Sequence, residues 1–263
     1  MNIVVCVKHV PDATADRRFE DDNTVDRVGV DGLLSELDEY AVEQALQLKE
    51  KQGGEDVEVT ALCVGPEGAV DAVRKALQMG ADRGVHVVDE AIAGSDAIAT
   101  SLVLAEAVRK VGTPDVVVCG MASTDASMSV VPAMLSERLG LPQVTLASVI
   151  EMQGDQVRIK RDGDSATEVI GATLPVVLSV TDQTGEARYP SFKGIMAAKK
   201  KPLETLTISD LGIEAGRVGL AAAWSQVEET TERPPRSAGE IVTDEDGSGA
   251  VALAEFLASK KFI

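Results

Sequence analysis

The stretch VVVCGMASTDASMSVVPAML, residues 116–135, begins as an apolar run typical of a buried strand and ends as a helix. Between the two lie glycine and hydroxyl side chains, and the stretch contains no lysine, arginine or histidine. Pro132 fits only the first turn of a helix, because proline has no N–H and its ring clashes with the carbonyl four residues back. We therefore predict a helix that begins near Met128 and leaves the amides of residues 127–131 without partners inside it.

Unpaired amides at a helix start bind an anion without help from a basic side chain, because the helix dipole adds partial positive charge there. Ser123, Thr124, Ser127 and Ser129 add hydroxyl donors, and a phosphate-sized anion is the predicted occupant. The alternative is a polar turn with nothing bound. Asp125 would repel phosphate unless it points elsewhere, for instance toward a ribose hydroxyl or a backbone amide.

The sequence lacks the common motifs for bond-making chemistry. It contains no lysine-bearing phosphate loop, no GxGxxG after the first strand, and no HExxH, CxxC or Ser-His-Asp arrangement. His86 lies inside a predicted strand and is interpreted as structural, while His9 has weak support as a lone general base. Cys6, Cys63 and Cys119 fall in apolar runs at wide spacing, so we predict buried thiols rather than a disulfide or zinc site.

Composition and charge narrow the class of partner. The 263 residues include 43 acidic and 25 basic side chains, for a formal charge of −18. Nucleic-acid and anionic-membrane binding need clustered positive charge, so both are disfavoured. The N-terminus enters a strand-like run without a basic segment, and no apolar run approaches the ~20 residues of a membrane span. We therefore expect a cytoplasmic protein.

Short apolar runs alternate with longer amphipathic ones, as in a parallel sheet covered by helices. Strands are predicted over residues 3–7, 57–64, 84–88, 116–119 and 143–150, and helices over 36–52, 68–79, 96–111 and 128–140. Further strands are predicted over 156–160, 167–172 and 176–181. The predicted fold class is α/β, with a doubly wound, mostly parallel sheet in the order 3-2-1-4-5 and added antiparallel strands. That order places the ends of strands one and four together, where open parallel sheets bind ligands.

Two local features adjoin this predicted site. Ser35 followed by Asp38 predicts a capping box at the start of the first helix. The connection over residues 9–34 is long and polar where two to six residues would suffice, and such connections are usually functional.

Several segments together resemble the electron-transfer flavoprotein beta subunit. They are RKALQMGADRGVHV (74–87), DVVVCGMASTDASMSVVPAML (115–135), ATLPVVLSV (172–180) and RYPSFKGIMAAKKK (188–201), and the opening NIVVCVKHVPD and the helix EYAVEQALQLKE fit as well. The resemblance covers nearly the whole chain. It implies a Rossmann-like nucleotide-binding domain over 1–186, a partner-recognition loop over 187–201, and a C-terminal arm over 202–263 that docks on an alpha subunit. Residues 230–240 are interpreted as a linker and 249–262 as a helix.

The resemblance also implies a function. The beta subunit of this family carries a structural AMP, while the redox-active FAD is held mainly by the alpha subunit. Electrons pass from acyl-CoA dehydrogenases and similar flavoenzymes to a membrane quinone oxidoreductase, and the chain has no catalytic residues of its own. Two alternatives stay open: a stand-alone nucleotide-binding or stress-type ATP-binding protein, and an electron-bifurcating relative with a second FAD in place of AMP.

Carried over by position, the resemblance places AMP at strand ends and helix starts. The residues are Cys6, Ser35, Leu37, Cys63, Val64, Gly65, Gly120, Ser123, Thr124, Asp125, Ala126, Ser127, Met128, Ser129, Val130 and Val131. The family often has several acidic residues and an amide where this chain has residues 126–129. We therefore expect backbone contacts to persist and side-chain contacts to differ.

For the recognition loop the resemblance implies an exposed anchor at Phe192, with Tyr189, Lys193 and Met196 beside it. The alternative is that Phe192 is buried under the loop. Lys193 and residues 199–201 supply positive charge that would steer an acidic partner, or are solvated surface.

Overall fold

The structure is a computed structural model that describes residues 1–15, 17–231, 234, 238–239, 241–244 and 246–263. These form two compact units, Met1–Glu228 and Glu229–Ile263. The strands are β1 Asn2–Cys6, β2 His9–Pro11, β3 Gly32–Leu34, β4 Glu58–Val64, β5 Arg83–Val87, β6 Val116–Gly120, β7 Gln143–Ala147, β8 Val149–Gln153, β9 Gln156–Asp162, β10 Thr167–Thr173, β11 Val176–Val180 and β12 Leu203–Leu206. The α-helices are α1 Glu36–Lys51, α2 Val70–Met79, α3 Ala97–Val111, α4 Val131–Leu139, α5 Phe192–Ala198 and α6 Ser248–Ser259.

Seven parallel strands form the central sheet of the first unit, in the order β12-β5-β4-β1-β6-β11-β7. Every residue of β6 and β11 is buried, and both strands consist largely of valine, as strands covered on both faces do. Helices α1 and α2 pack on one face of the sheet, and α3 and α4 pack on the other, which gives two apolar cores. The predicted doubly wound α/β fold is confirmed.

The order of the first four predicted strands, 3-2-1-4, appears in the sheet as β5-β4-β1-β6. The difference lies beyond it: β11, predicted among the antiparallel additions, runs parallel between β6 and β7. The strand predicted over 143–150 is divided at Ser148, whose amide donates to the carbonyl of Lys160 at 2.8 Å. This bond draws the chain out of the central sheet and into the antiparallel sheet β10-β9-β8.

The C-terminal part of the first unit also differs from the prediction. Strand β12 pairs in parallel with β5 at the sheet edge, so the compact unit continues past the predicted boundary at residue 202 and ends at Glu228. Residues 187–201, predicted to be a loop, contain the seven-residue helix α5. The linker predicted over 230–240 lies largely outside the described residues, and α6 agrees with the helix predicted over 249–262.

Two helix starts show how local signals were modified by long-range contacts. Helix α1 begins at Glu36 as predicted, but Ser35 makes no side-chain capping bond, so the capping box was wrong. The carboxylate of Asp38 instead accepts the amide of Lys8 at 2.8 Å. Helix α4 begins at Val131, three residues later than predicted, with Pro132 in its first turn. None of the described helices combines the length and the apolar character needed to span a bilayer.

Candidate functional site

Three parallel strands end side by side where the sequence predicts a ligand. Strand β1 pairs in parallel with β4 on one side and with β6 on the other. Cys6, Val64 and Gly120 therefore lie together at the carboxyl ends of these central strands. The start of α1 joins this edge because the amide of Ser35 donates to the carbonyl of Lys8 at 2.9 Å. The predicted adjacency of the first and fourth strands is confirmed.

The turn over residues 121–130 is partly closed on itself. The carbonyl of Ser123 accepts the amide of Ser127 at 2.9 Å, so this amide is not free as predicted. Ser127 and Ser129 have positive φ angles of 53° and 57°, which non-glycine residues seldom adopt. The backbone is thus held in an unusual shape, and residues 126–129 are exposed.

The start of α4 provides the donors that the predicted anion needs. The amides of Val130, Val131 and Ala133 stand at positions where a helix supplies no partner of its own, and Pro132 between them has no N–H. The helix dipole adds partial positive charge at the same place. The set of free amides therefore lies slightly later in the chain than predicted.

Ser35, which is hydrogen-bonded to Lys8 after β1, has a hydroxyl without a hydrogen-bond partner. The residue is fully buried, and its Oγ is the one buried side-chain polar atom without a hydrogen-bond partner in the part of the chain that the structure describes. A buried hydroxyl without a partner costs about 1–3 kcal/mol. A polar ligand atom that reached this hydroxyl would recover that energy.

Asp125 was predicted to point toward a ribose hydroxyl or a backbone amide. In the structure its carboxylate is instead paired with two cationic side chains. Its carboxylate accepts the ammonium of Lys8 at 2.9 Å and the guanidinium of Arg27 at 2.7 Å. Its side chain is 1% exposed. The Lys8 ammonium also lies 3.3 Å from the Ser123 hydroxyl. The turn therefore does have cationic side chains next to it, although none belongs to the stretch 116–135.

This pairing lowers the pKa of Asp125. Burial alone raises the pKa of Asp125, but the charge of Lys8 and hydrogen bonds from Ser123, Lys8 and Arg27 outweigh burial and hold it well below its usual range. The carboxylate is therefore ionised, and its charge is compensated by two cations. The cluster of Asp125 with Lys8 and Arg27 carries a net positive charge, which removes the repulsion that an isolated carboxylate would exert on phosphate.

Asp38 and Gly120 fix the start of α1 against the end of β6. Burial raises the pKa of Asp38 to about 7, against the opposing effect of the Lys8 amide that it accepts. A side chain at Gly120 would place its Cβ 2.5 Å from Asp38 Oδ1 and 2.8 Å from the carbonyl oxygen of Leu37. Glycine is required here because the backbone of another element approaches this closely.

We expect Gly120→Ala to lower the free energy of unfolding by about 1–3 kcal/mol, because the added methyl group must displace backbone. Urea unfolding measures the change. Gly68→Ala is the matched control, since a Cβ at Gly68 meets no atom within 4 Å, and we expect it to alter stability by less than about 1 kcal/mol. Equal unfolding midpoints for the two variants would contradict the close approach.

The cysteines line the strand ends as free, buried thiols, as predicted. The Cys6 thiol lies next to that of Cys119, and this contact together with burial raises the pKa of Cys119. Burial raises the pKa of Cys63 to about 12. His86 is a satisfied structural histidine, as interpreted, with Nε2 3.2 Å from the carbonyl of Gly65.

The predicted site residues do not include Lys8, Arg17 or Arg27. Arg17 donates to the carbonyl of Thr124 at 2.6 Å, and Arg27 reaches Asp125. Both arginines belong to the long connection that was marked as functional. Two features of the sequence could have indicated these residues. The turn contains an aspartate with no cation near it in sequence, and the polar connection that follows the neighbouring strand contains arginines.

A second candidate surface lies on residues 187–201. Phe192 is 80% exposed and Tyr189 is 92% exposed, so the alternative of a buried Phe192 is excluded. Met196 is about half exposed and Lys193 is exposed. All four predicted partner residues are therefore exposed in the structure. Their role in binding a partner stays a prediction.

This segment is fixed at both ends. The guanidinium of Arg188 donates to the buried carboxylate of Glu43 at 2.6 Å and to Glu50 at 2.6 Å. At the other end the ammonium of Lys201 donates to the carbonyls of Leu77 and Ala81, at the end of α2. Lys201 was predicted to add to the exposed positive charge, but its ammonium is used in these two bonds. Residues 199–200 are exposed. A seven-residue helix held in this way presents its apolar side chains in a preformed arrangement.

The chain is similar in sequence to proteins of one known family. Residues 22–211 match the family described as "Electron transfer flavoprotein domain". The chain is 44% identical over 265 residues to electron transfer flavoprotein subunit beta of Mycobacterium tuberculosis, covering all of this chain and 99% of that protein. The corresponding subunit of Thermoanaerobacterium thermosaccharolyticum is 35% identical with full coverage of both chains, and that of Megasphaera elsdenii is 32% identical over 94% of this chain and 93% of its own. The chain therefore belongs to the electron transfer flavoprotein beta-subunit family.

Proposed function

We propose that this chain is the beta subunit of a heterodimeric electron transfer flavoprotein and that it binds AMP as a structural ligand. In this proposal the alpha subunit holds most of the FAD. Acyl-CoA dehydrogenases and related flavoenzymes supply the electrons, and a membrane quinone oxidoreductase receives them. Family membership supports the electron-transfer role, and the site at the ends of β1, β4 and β6 supports the nucleotide.

The observation that carries the AMP proposal is the buried, unpartnered hydroxyl of Ser35. Ser35 is hydrogen-bonded to Lys8 after β1, beside the carboxyl ends of β4 at Val64 and of β6 at Gly120. The amides of Val130 and Val131 would bind the phosphate, and the Ser35 hydroxyl would bind the ribose or the base. A mononucleotide would thus join three elements of the first unit and stabilise it.

The bound FAD supplies the redox chemistry of the complex. The residues of this chain bind and position. The strand-end site holds a nucleotide, and the fixed segment over 187–201 presents Phe192 to a partner. Its exposed lysines are favourable toward an acidic rim on a partner, which an overall charge of −18 would otherwise repel.

The test is to purify the complete chain with its alpha subunit, denature the complex, and identify the released nucleotides by chromatography. We expect AMP and FAD in equal amounts. Two equivalents of FAD without AMP would replace this proposal with the electron-bifurcating alternative. A chain that purifies without a companion and hydrolyses ATP would support the stand-alone nucleotide-binding alternative.

Phe192→Ala should raise the KM for a donor acyl-CoA dehydrogenase by about 30-fold and leave the flavin spectrum unchanged. An exposed aromatic anchor on a preformed segment is a typical hot spot, worth about 2 kcal/mol in binding. Steady-state reduction of the complex by the dehydrogenase measures the effect.

The matched control for Phe192 is Val169→Ala, which removes an apolar side chain that is 56% exposed on the antiparallel sheet. We expect this control to leave the KM unchanged. Loss of flavin from the Phe192 variant would show instead that the segment is structural.

A further inference from the structure

The connection over residues 9–34, here called the strap, is fixed at its base. Strands β2 and β3 pair antiparallel within it, with His9 opposite Leu34. The next residue, Ser35, donates its amide to the carbonyl of Lys8 at 2.9 Å, so the two ends of the strap are joined. Both ends adjoin the site, because Lys8 follows β1 and Ser35 precedes α1.

The far part of the strap reaches the turn over 121–130 through two arginines. Arg17 donates to the carbonyl of Thr124 at 2.6 Å, and Arg27 donates to Asp125 at 2.7 Å. Arg27 also lies 3.4 Å from the carbonyl of His9, which ties it back to the base of the strap. The turn that would bind phosphate is thus contacted from outside by a segment that is distant from it in sequence.

The charges allow these contacts to open reversibly. Breaking a buried ion pair is costly when it leaves a charge without a partner. The Asp125 carboxylate is 1% exposed but has a second cation, Lys8, which stays paired with it when Arg27 leaves. Arg27 is itself 29% exposed, so water can solvate its released guanidinium. One carboxylate shared by two cations therefore suits a contact that opens and closes.

We propose that the strap is a gate over the nucleotide site, closed by Arg17 and Arg27, and that nucleotide enters and leaves only when these two contacts open. The inference rests on the proposed AMP site and adds a property to it: exchange is controlled by residues that do not bind the ligand. Arg17 and Arg27 are positioning residues in this scheme. They hold the strap to Thr124 and Asp125.

The experiment measures AMP exchange in the complete chain with its alpha subunit. The complex is loaded with radiolabelled AMP, release is followed during a chase with excess unlabelled AMP, and association is followed by rapid mixing. In the double variant Arg17→Met/Arg27→Met, two charge-assisted hydrogen bonds are lost, and we expect release to accelerate at least about tenfold. Because a gate acts on both directions, association should accelerate by a similar factor and leave the dissociation constant nearly unchanged.

The control is Arg18→Met, which removes a neighbouring arginine of the strap, and we expect wild-type rates. The single variant Arg17→Met repeats the test with one contact intact if the double variant does not fold, and we expect it to accelerate both rates about threefold. Faster release with unchanged association would overturn the gate and make the arginines phosphate ligands. Unchanged rates in both directions would overturn it as well. A wild-type complex that neither releases AMP on denaturation nor takes up labelled AMP would refute the nucleotide site itself, and with it the gate.

Discussion

Replacing Asp38 with asparagine should increase the stability of the protein relative to wild type as the pH rises, by about 2 kcal/mol between pH 5 and pH 7. Burial raises the pKa of Asp38 from 3.8 to about 7. Between these two values the native state holds a proton that the unfolded state has lost. Wild-type stability therefore falls as the pH rises through this window, by about 1.4 kcal/mol per unit. Asparagine does not titrate, so the difference between the two proteins opens over the same window and becomes constant above it.

The measurement is urea unfolding at fixed salt from pH 5 to pH 8, above the isoelectric point of about 4.5. Asp12→Asn is the control, because hydrogen bonds from Thr14 lower the pKa of the exposed Asp12. The contribution of Asp12 to stability is lost only as the pH falls below 3.8. The difference in the free energy of unfolding between Asp12→Asn and wild type should therefore be constant from pH 5 to pH 8. A flat difference for Asp38→Asn would show that this carboxyl is ionised throughout, and would contradict its desolvation at the strand ends.

The extent of the central elements followed from local patterns, but their lateral order followed only in part. Glycine and proline marked the helix ends, and Gly80 and Gly112 stand at the ends of α2 and α3. The fully apolar run of β11 is typical of a buried parallel strand. Yet no local pattern states that it inserts between β6 and β7, because neighbour choice depends on contacts between distant segments.

The site was predicted where backbone geometry dominates and missed where distant side chains meet. Proline at position 132 and the hydroxyl-rich turn located the free amides to within a few residues. Ser35 and Asp38 matched a capping box, but the amide of Lys8 competes for the Asp38 carboxylate. The partners of Asp125 are Lys8, which follows β1, and Arg27 of the strap, 98 or more residues away along the chain. A pattern read along one segment contains no information on such pairs.

Helix α5 was missed for a related reason. Its sequence FKGIMAA is short and has a central glycine, so local helix propensity is weak. The helix exists because Ser191 caps it through the amide of Gly194 and because Arg188 and Lys201 fix the flanking chain to α1 and α2. Tertiary contacts therefore determine the secondary structure of the surface proposed to bind partners.

Deletion of residues 230–263 should weaken the heterodimer, raising its dissociation constant on the order of 100-fold. Helix α6 has no buried residue within its own unit, and Val251, Leu253 and Phe256 are each more than half exposed. We propose that this arm docks on the alpha subunit. Burying three such side chains contributes about 1.5 kcal/mol or more each, and ordering the arm offsets part of that gain, which leaves roughly 3 kcal/mol.

Point variants separate docking of the helix from a general effect of chain length. In the full-length chain, Leu253→Ser combined with Phe256→Ser should reproduce most of the loss, because the apolar surface is removed while the chain keeps its length. Glu255→Gln changes a polar side chain on the same helix and should leave the dissociation constant at the wild-type value. Titration calorimetry between the separated subunits measures all four proteins. A truncated chain that binds the alpha subunit as tightly as wild type would show that the apolar surface of α6 serves a different contact.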